Sequence, residues 1–515
     1  MHHKTVNPAA RAASVIYHTH AFFDKIENET LEPIVGGGVI PTTMHTYKLL
    51  SATRIPGEKM DKLVPCLKSR HIVVFIKGRA YSFNAFDKNG KCYRPEVLQV
   101  LLSDLILVHD HDYADSTATG LPLLTSLERT QWSKIRTKIT SNKNHAKILQ
   151  TIESARFAVT FDQTSPQSEA AEHKTGCFGG DVGNTWFDKS ISFLVCKNGR
   201  LASSWEHSTG EATNSGIWSL HFLAREEYDS RGNAVLKGSA STKLQRPDPR
   251  SKSERSPWEQ LDVQSIIEFH NLERVLKTQK VSLETQKNNL SNCIFTTPFG
   301  KGWIKKQKIS PDAVMQTCLQ RTFYKLRGFI PKVYESAGII MYRNSRTETI
   351  RSVNKGSIAY CKNPSIENLK LACQGVVDFK NDVNLGQGAD RHLFALYVVG
   401  RYLNQKYDLF ENFPEIWQMD HVSSSSTGVP LDIPLENYPK AGSFGAQLED
   451  GFGCAYFSPF NEHSAMAVTC YKDTNKYSAE DFVQCYWGSM VELRRLYEPG
   501  FEMGYGPFDL IVSSC

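Results

Sequence analysis

The sequence predicts a mixed α/β protein with more than one domain, and three observations lead to this prediction. The chain has 515 residues, a length that ordinarily divides into two to four domains with sizeable apolar cores. Its first half contains short β-rich runs joined by hairpin signals. Its second half contains two segments with strong helix signals and further strand-like runs, so that sheets flanked by helices are expected.

The hairpin signals are dipeptides that end in glycine and separate apolar runs. In "HIVVFIKGRAYSFNAFDKNGKCY" the runs are broken at Lys77-Gly78 and at Asn89-Gly90, and the Asn-Gly pair indicates a type I′ turn. A second such pair, Asn198-Gly199, joins an apolar strand to one that ends at Trp205. His207 therefore follows the end of a strand, where protein scaffolds commonly present reactive side chains.

Two helices are predicted in the second half. The segment "SPDAVMQTCLQRTFYKLRG" begins with Ser310 as N-cap and Pro311 in the first turn, and Gly328 ends it. The segment 390–407, "DRHLFALYVVGRYLNQKY", predicts a helix whose apolar residues extend around it and imply deep burial. Strands are expected near "GFGCAYF" and "SAMAVTCY", so this half is mixed as well.

Two stretches, 163–183 and about 224–258, are poor in large apolar residues and rich in Ser, Gly, Pro and charge. Both are predicted to be loops, and the second is predicted to link two domains. We therefore place the domain boundary near residue 260, which divides the chain into a domain 1–260 and a domain 261–515. The sequence contains no internal repeat at a fixed period.

Charge and cysteine usage argue against several classes of protein. The chain has 60 basic and 54 acidic residues, and its net charge of +6 is too mild to indicate a nucleic-acid partner. No run of eighteen apolar residues is present to cross a bilayer, and the N-terminus lacks the apolar segment of a secretory signal. The 12 cysteines contain no C-x-x-C pair, so neither a zinc site nor a disulfide framework is expected, and a reducing compartment fits best.

The segment "SWEHSTGEA" places His207 between Glu206 and Glu211. The imidazole is either a reactive base or a polar residue with a structural partner. Four lysines, in "FGKGWIKKQKISPD", precede a predicted helix N-terminus, where free backbone N–H groups favour an anion. They form either a phosphate site or a solvated basic loop.

Two further segments concentrate polar side chains. "GFIPKVYESAGIIMYRNSRTETIRS" combines tyrosine, arginine and hydroxyl groups that suit a carboxylate ligand, although a buried polar network is an equal alternative. "DHVSSSSTGVP" presents hydroxyls at 423–427, which either stabilise an oxyanion on a strand or belong to a flexible Ser-rich loop.

Eight motifs occur in an order that spans almost the entire chain. They are "TRIPG" (53–57), "WFDKS" (186–190), "EHS" with an acid four residues after the histidine (206–211), "FGKG…IKK…SPDA" (299–313), "YESA" (334–337), "RTETIRS" (346–352), "DRHLFALYVV" (390–399) and "DGFG" (450–453). In these motifs the chain resembles the choline/carnitine acyltransferase family, and most closely its outer-membrane carnitine palmitoyltransferase type.

The resemblance implies two domains of the chloramphenicol-acetyltransferase kind, each a mixed β-sheet with flanking helices, and an active-site tunnel between them. The first domain is expected to carry the catalytic histidine, and the second the CoA and carnitine sites. The implied reaction is reversible transfer of an acyl group, expected to be long-chain, between coenzyme A and the hydroxyl of carnitine. Acyl-CoA and carnitine are the expected partners, and neither a cofactor nor a metal is expected.

The resemblance also implies roles for particular residues. His207 matches the general base and Glu211 the acid that orients it. The family's oxyanion hydroxyls match Ser425, Ser426 and Thr427 in one register and Ser423, Ser424 and Ser425 in the other, so that Ser425 belongs to both. The CoA-binding positions that match are Lys301, Lys305, Lys308, Ser310 and Asp312. The carnitine-binding positions that match are Tyr334, Ser336, Thr347 and Arg391. Arg391 favours carnitine over choline, because choline has no carboxylate for it to bind.

The chain departs from the family pattern at three substrate-side positions, Gly338, Ile340 and Ala446, and its start resembles a segment well inside the family's catalytic region. The preceding helices, the two membrane spans and the regulatory segment of the family are therefore expected to be absent. The alternatives are a catalytically impaired homologue that binds CoA or a protein, and a short-chain or choline acyltransferase. The resemblance implies a mitochondrial location with peripheral membrane association, and a cytoplasmic one if the short chain is the mature form.

Overall fold

The computed structural model describes residues 4–33, 35–36, 40–41, 47–113, 120–236, 257–339, 341–343, 345–412, 417, 420–426, 442–458 and 460–508. These ranges contain two mixed six-stranded sheets with helices around them, which confirms the predicted mixed α/β class. In the part of the chain described, the helices are too short or too polar to cross a membrane.

The helices of the described residues are α1 (Pro8–Glu27), α2 (Pro95–Asp112), α3 (Arg129–Ser141), α4 (Lys143–Ser154), α5 (Glu169–Phe178), α6 (Ala212–Leu223), α7 (Val263–Phe269), α8 (Glu273–Asn289), α9 (Lys301–Lys306), α10 (Pro311–Arg327), α11 (Lys355–Lys362), α12 (Ile366–Asn384), α13 (Asp390–Tyr402) and α14 (Ala479–Tyr497). The strands are β1 (Val35–Gly36), β2 (Ile40–Pro41), β3 (Ala52–Ile55), β4 (Lys62–Pro65), β5 (His71–Ile76), β6 (Arg79–Asn84), β7 (Ala158–Asp162), β8 (Ile191–Cys196), β9 (Leu201–Trp205), β10 (Glu227–Tyr228), β11 (Ala234–Val235), β12 (Trp258–Leu261), β13 (Leu290–Thr296), β14 (Val333–Gly338), β15 (Thr347–Ile350), β16 (Val422–Ser426), β17 (Phe452–Phe457) and β18 (Ala465–Tyr471).

The chain forms two compact units that divide between Lys287 and Asn288. Among the described residues, those up to Lys287 belong to the first unit, apart from β1 and β2, and those from Asn288 belong to the second. The sequence placed the boundary near residue 260. The structure places it later because β12 pairs with β6 and the apolar residues of α7 and α8 complete a core of the first unit.

The sheet of the first unit has the strand order β12-β6-β5-β7-β8-β9, with β5, β7 and β8 parallel and the other pairs antiparallel. Both of its faces are covered. Ile72 and Val74 of β5 pack with residues of α1, α2 and α6, whereas Val73 and Phe75 pack with residues of α3, α4, α7 and α8. The nearly continuous apolar sequence of β5 follows from this burial on both faces.

Two of the three glycine dipeptides join paired strands. Lys77-Gly78 connects β5 to β6, and because both residues have positive φ, 43° and 78°, this turn is of type I′. Asn198-Gly199 joins β8 to β9, as predicted. The prediction for Asn89-Gly90 was wrong: the turn closes only an isolated bridge between Phe86 and Cys92, and only Gly90 of the pair has positive φ.

The stretch 163–183 was predicted to be a loop, and this prediction was wrong because it contains α5. The Ser168 hydroxyl caps this helix by accepting from the backbone N–H of Ala171 at 3.2 Å. In the stretch 224–258 the short hairpin of β10 and β11 precedes residues 237–256, which lie outside the described part.

The sheet of the second unit has the strand order β13-β18-β17-β16-β14-β15, with β14, β16 and β17 parallel and the other pairs antiparallel. One face packs against α10, α12 and α14 through a large apolar cluster. The helix α10 confirms the sequence prediction at both ends: Ser310 accepts from the N–H of Ala313 at 3.4 Å, and Gly328 ends the helix with φ of 80°.

The helix predicted over 390–407 exists as α13, but the prediction that it is deeply buried was wrong. Within α13 only Gly400 is buried, and apolar residues such as Val399 and Tyr402 are exposed. The helix is instead attached to its unit by polar contacts of its first turn, where Asp390 pairs with Arg351 at 3.0 Å. Apolar residues on all sides of a predicted helix do not by themselves identify the neighbouring elements that would cover it.

Candidate active site

His207 lies in a short turn, His207–Thr209, that follows β9 directly. Its side chain is 73% exposed, so the imidazole is accessible to a ligand. The turn is held from the preceding residue, because the Glu206 carboxylate accepts from the backbone N–H of Ser208 at 3.1 Å and the Glu206 carbonyl accepts from the Thr209 hydroxyl at 2.8 Å. The strand end therefore presents an accessible histidine on a fixed backbone.

Glu211 stands four residues after His207 and precedes the first turn of α6. Its backbone N–H donates to Asn214 Oδ1 at 2.8 Å, in a capping box at the start of the helix. Its carboxylate is mostly buried, and Glu211 Oε2 lies 3.8 Å from His207 Nδ1. This distance is within reach of an ion pair with a protonated imidazole, although it is longer than a hydrogen bond.

Behind the His207 turn runs a row of alternating acids and arginines, which we call the arginine–carboxylate chain: Asp188, Arg129, Asp61, Arg54 and Glu206. Arg54 bridges Glu206 at 2.9 Å and Asp61 at 2.6 Å, and Arg129 bridges Asp61 at 2.7 Å and Asp188 at 2.7 Å. Asp188 also accepts from the indole N–H of Trp132 at 2.8 Å. The chain ties the His207 turn to the buried core of its unit.

The pKa values of two acids in this chain are shifted in opposite directions. Burial raises the pKa of Asp188 to about 6, although Arg129 and the Trp132 N–H oppose the rise. Burial also raises the pKa of Asp61, but the backbone N–H of Gly57 together with Arg129 and Arg54 outweighs it, so that this pKa lies below its usual value. Both carboxylates are therefore ionised at neutral pH and can hold their arginines.

In the second unit, strand pairing places several candidate residues on one face of the sheet. Tyr334 pairs with Ser423 and Ser336 pairs with Ser425 in the parallel register of β14 and β16. Residues that pair directly have their side chains on the same face. Tyr334, Ser336 and Ser425 therefore share the face opposite to the one that packs on α10.

The two described candidate hydroxyls of β16 lie on opposite faces. Ser425 follows Ser423 at a spacing of two and shares its face, whereas the Ser426 hydroxyl points to the α10 side, where it lies 3.3 Å from Glu335 Oε1. Thr427, the third candidate, lies outside the described residues. Of the two, only Ser425 thus shares a face with Tyr334.

Arg391 and Tyr334 come together although 57 residues separate them in the sequence. The guanidinium donates to the Tyr334 hydroxyl at 2.9 Å, and its carbon lies 5.8 Å from the centre of the tyrosine ring. The backbone N–H of Arg391 donates to Glu348 Oε1 at 2.9 Å, which fixes the first turn of α13 on β15. Arg391 is exposed, so its guanidinium can also reach a bound carboxylate.

Thr347 lies on β15 opposite Gly338 of β14, and Thr349 lies opposite Ser336. This register places both threonine side chains on the same face as Ser336. The candidate carnitine-binding residues of the second unit are therefore brought together by two strand pairs and one helix end.

The candidate CoA-binding lysines occupy α9 and the loop that follows it. Lys301 begins α9 and is half-buried, whereas Lys305 and Lys308 are exposed. The side chains of Lys305 and Lys308 are therefore open to solvent and to a ligand. Lys308 adopts a φ of 59°, and its N–H donates to the Lys305 carbonyl at 3.0 Å, which turns the chain sharply into α10.

The remaining two CoA candidates already have partners. Ser310 caps α10, and its hydroxyl accepts from a backbone N–H. Asp312 lies in the first turn of α10, where Lys380 Nζ approaches Oδ2 at 2.8 Å and the Tyr456 hydroxyl approaches Oδ1 at 2.8 Å. The sequence did not assign functions to the partners of Asp312 or to the arginine–carboxylate chain, because contacts between distant segments depend on tertiary structure.

A family model described as Choline/Carnitine o-acyltransferase matches residues 1–486 of the chain. The muscle isoform of carnitine O-palmitoyltransferase 1 from Rattus norvegicus is 30% identical over 479 residues, which cover 88% of this chain and 59% of that protein. The mitochondrial carnitine O-palmitoyltransferase 2 from Homo sapiens is 30% identical over 469 residues, which cover 86% of this chain and 65% of that protein. The chain thus spans about three fifths of the length of these relatives.

Solved structures with a similar arrangement are more distant. A mutant starter condensation domain of rhizomide synthetase has 8% sequence identity and a TM-score of 0.34, with 95% of this chain and 87% of that chain covered. The condensation domain from Monacolin K polyketide synthase has 8% identity and a TM-score of 0.33, with 78% of this chain and 97% of that chain covered.

Proposed function

Because this chain belongs to the choline/carnitine O-acyltransferase family, we propose that it transfers a fatty acyl group reversibly between coenzyme A and the hydroxyl of carnitine. The observation that carries the carnitine assignment is the contact of Arg391 with Tyr334, on the sheet face that also holds Ser336, Thr347 and Ser425. Carnitine is a zwitterion, and a guanidinium beside a phenol hydroxyl suits its carboxylate.

In this proposal His207 is the general base. Its imidazole takes the proton of the carnitine hydroxyl, and the oxygen attacks the thioester carbon of acyl-CoA to form a tetrahedral intermediate. The intermediate expels the CoA sulfur, which receives the proton from the imidazolium. Glu211, whose carboxylate lies 3.8 Å from the ring, stabilises the positive imidazolium. No covalent acyl-enzyme, cofactor or metal is part of the proposal.

The negative oxygen of the intermediate needs a donor. We assign this role to Ser425, because its side chain lies on the same face as the residues proposed to hold carnitine. Ser426 lies on the other face and acts indirectly. Thr427 remains a candidate by the family resemblance.

The lysines of α9 and its exit are proposed to bind the phosphate groups of CoA. Lys305 and Lys308 are exposed, and the lysines stand before the N-terminus of α10. Replacing Lys305 or Lys308 by Ala is expected to weaken CoA binding by about 0.5–2 kcal/mol each, with a smaller effect at high salt. Calorimetric titration with CoA at two salt concentrations measures this. A loss of affinity that does not depend on salt would contradict the phosphate assignment.

Replacing Arg391 by Asn is expected to raise the KM for carnitine about tenfold or more, because a hydrogen bond between two charged groups is lost. The KM for acyl-CoA should stay the same. Steady-state kinetics with each substrate varied in turn measure both values. Arg401, which lies at the other end of α13, provides the matched control: Arg401→Asn should leave both KM values unchanged. An unchanged carnitine KM in Arg391→Asn would remove carnitine from the proposal.

The decisive experiment is an assay of the thiol that palmitoyl-CoA releases in the presence of carnitine. The proposed function requires carnitine-dependent release, and choline in place of carnitine should not support it. Acetyl-CoA in place of palmitoyl-CoA tests the long-chain preference, which we infer from the palmitoyltransferases that the chain resembles. A protein that binds CoA but releases no thiol would favour the alternative of a non-catalytic homologue.

The location is proposed from the same relatives. One of the similar proteins is named as mitochondrial, and we propose a mitochondrial association for this chain. Fractionation of cells that express the tagged protein tests this proposal.

A further inference from the structure

A group of buried and half-buried polar side chains lies behind β16, on the face of the sheet that packs against α10. We call it the Glu335 cluster: Glu335 of β14, Ser426 of β16, Tyr456 of β17, Asp312 of α10 and Lys380 of α12. Glu335 is fully buried and Tyr456 is 3% exposed. The cluster joins the strand that carries the candidate hydroxyls to the helix that begins at the candidate CoA site.

The Tyr456 hydroxyl is the centre of the cluster. It lies 2.8 Å from Asp312 Oδ1 and 3.1 Å from Glu335 Oε1. Gln316 Nε2 donates to the same hydroxyl at 3.0 Å and uses its other hydrogen on Ser424 Oγ at 2.8 Å. The Gln316 carbonyl accepts from the Ser352 hydroxyl at 2.9 Å, so the amide orientation is fixed by its neighbours.

The single hydrogen of the Tyr456 hydroxyl determines which of the neighbouring carboxyl groups carries a proton. A tyrosine hydroxyl has one hydrogen to donate, yet Tyr456 lies within hydrogen-bond distance of two carboxyl groups. One of the two carboxyl groups must therefore donate to the tyrosine oxygen. Asp312 is paired with Lys380 at 2.8 Å, so it is the ionised acceptor. The proton belongs to Glu335.

The second oxygen of Glu335 supports the same assignment. Among the described residues, Oε2 is buried without a hydrogen-bond partner. A bare carboxylate oxygen in the interior is far more costly than the carbonyl oxygen of a neutral acid. The surroundings agree: burial, followed by the negative charge of Asp312, raises the pKa of Glu335 to about 8, although Lys380, Tyr456 and Ser426 oppose the rise.

We propose that Glu335 is a neutral carboxylic acid at physiological pH and a positioning residue for the hydroxyl face of β16. Its carboxyl group holds Ser426 and Tyr456 on the α10 side, and this fixes the end of the strand so that Ser425 presents its hydroxyl on the opposite face. The positioning role rests on the function proposed above. Ionisation of Glu335 places a second negative charge beside Asp312 and loosens this strand end.

The direction of the pH effect follows from the groups that face Glu335. These are Asp312 from α10, Lys380 from α12 and the Tyr456 hydroxyl from β17. Because the pKa of Glu335 is raised, the neutral form predominates below about pH 8 and is lost as the pH rises through that value. The turnover of the wild-type enzyme should therefore fall on the alkaline side.

The protonation is measured by carbon NMR of protein labelled with ¹³C in the glutamate carboxyl groups. The resonance missing in Glu335→Gln should have the protonated shift at pH 7 and titrate near pH 8. Glu492 is the matched control, because burial raises its pKa but Arg321 and Lys325 more than reverse this, and the pKa lies below its usual value. The resonance missing in Glu492→Gln should thus be ionised at pH 7. A Glu335 signal that titrates at or below the usual value for glutamate overturns the proposal.

The positioning role is measured by kcat against pH for the wild type, Glu335→Gln and Glu335→Ala. Glutamine keeps a neutral hydrogen-bonding group, so this variant should lack the alkaline fall and retain more turnover at pH 7 than Glu335→Ala, which should lose about tenfold or more. An alkaline fall in Glu335→Gln equal to that of the wild type overturns the role. A wild type without carnitine-dependent thiol release contradicts the proposed function and the positioning role together, while the NMR result still decides the protonation.

Discussion

Replacing His207 by Ala is expected to lower kcat about 10²–10⁴-fold, because a general base contributes a factor of this size. The side chain is exposed at the end of β9 and makes no contribution to a core, so the fold should be unaffected. The CoA affinity should also be unaffected, because the candidate phosphate ligands lie on α9 and the loop after it. Carnitine-dependent thiol release gives kcat, and calorimetry with CoA gives the affinity.

His111 is the matched control for this experiment. It is another exposed histidine, at the end of α2, and it has an acidic neighbour in Asp112 at 3.0 Å. His111→Ala should keep wild-type turnover. If His207→Ala retains the turnover of the His111→Ala control, His207 is not the base.

Replacing Asp188 by Ala is expected to lower the free energy of unfolding by about 3 kcal/mol. Asp188 is 4% exposed, and removal of its carboxylate leaves the indole N–H of Trp132 without its acceptor and Arg129 with only Asp61. The arginine–carboxylate chain then ends before it reaches the core, so kcat should fall as well. Denaturant unfolding monitored by tryptophan fluorescence measures the loss of stability.

The Asp188→Asn variant keeps the shape of the side chain and removes its charge. The amide fills the same space and its carbonyl can still accept from the Trp132 indole, so the loss of stability should be smaller than in Asp188→Ala. Equal stability of Asp188→Ala and the wild type would show that the ion pairs near the His207 turn contribute nothing to the fold.

Sequence signals predicted those elements whose ends depend on interactions between residues close together in the chain. The helix α10 begins and ends where its cap residues indicate, because Ser310 and Gly328 act within one turn of the backbone. The prediction that α13 is deeply buried was wrong, because the apolar residues of a helix do not show which element covers them. The predicted position of the domain boundary differed for a similar reason, because the pairing of β12 with β6 joins segments that are far apart in sequence.

The candidate site was predictable in its residue types and less so in its geometry. The sequence indicated Tyr334 and Arg391 as ligands for a carboxylate, but only the strand register and the start of α13 bring them to 2.9 Å. The register also separates Ser425 from Ser426, which the sequence could not do because two alignments of the serine run were open.

Glu335 had a detectable signal that the sequence analysis did not use. Glu335 lies two residues from Val333 and from Ala337 along β14, so the three side chains share one face, and Val333 and Ala337 are buried. An acid at the buried positions of a strand is unusual unless it is paired or neutral. The sequence could not identify the partners of Glu335, because Tyr456 and Asp312 lie 121 and 23 residues away from it. Only their positions in the structure show that the proton is on Glu335.

The alternation of the serine run limits how this protein can change during evolution. Because successive residues of β16 face opposite sides, inserting or deleting one residue ahead of Ser423 would exchange the two sets of hydroxyl groups between the substrate side and the helix side. A change of two residues would keep every hydroxyl on its side. A one-residue insertion or deletion within β16 should therefore be more damaging than a substitution that keeps each hydroxyl on its side.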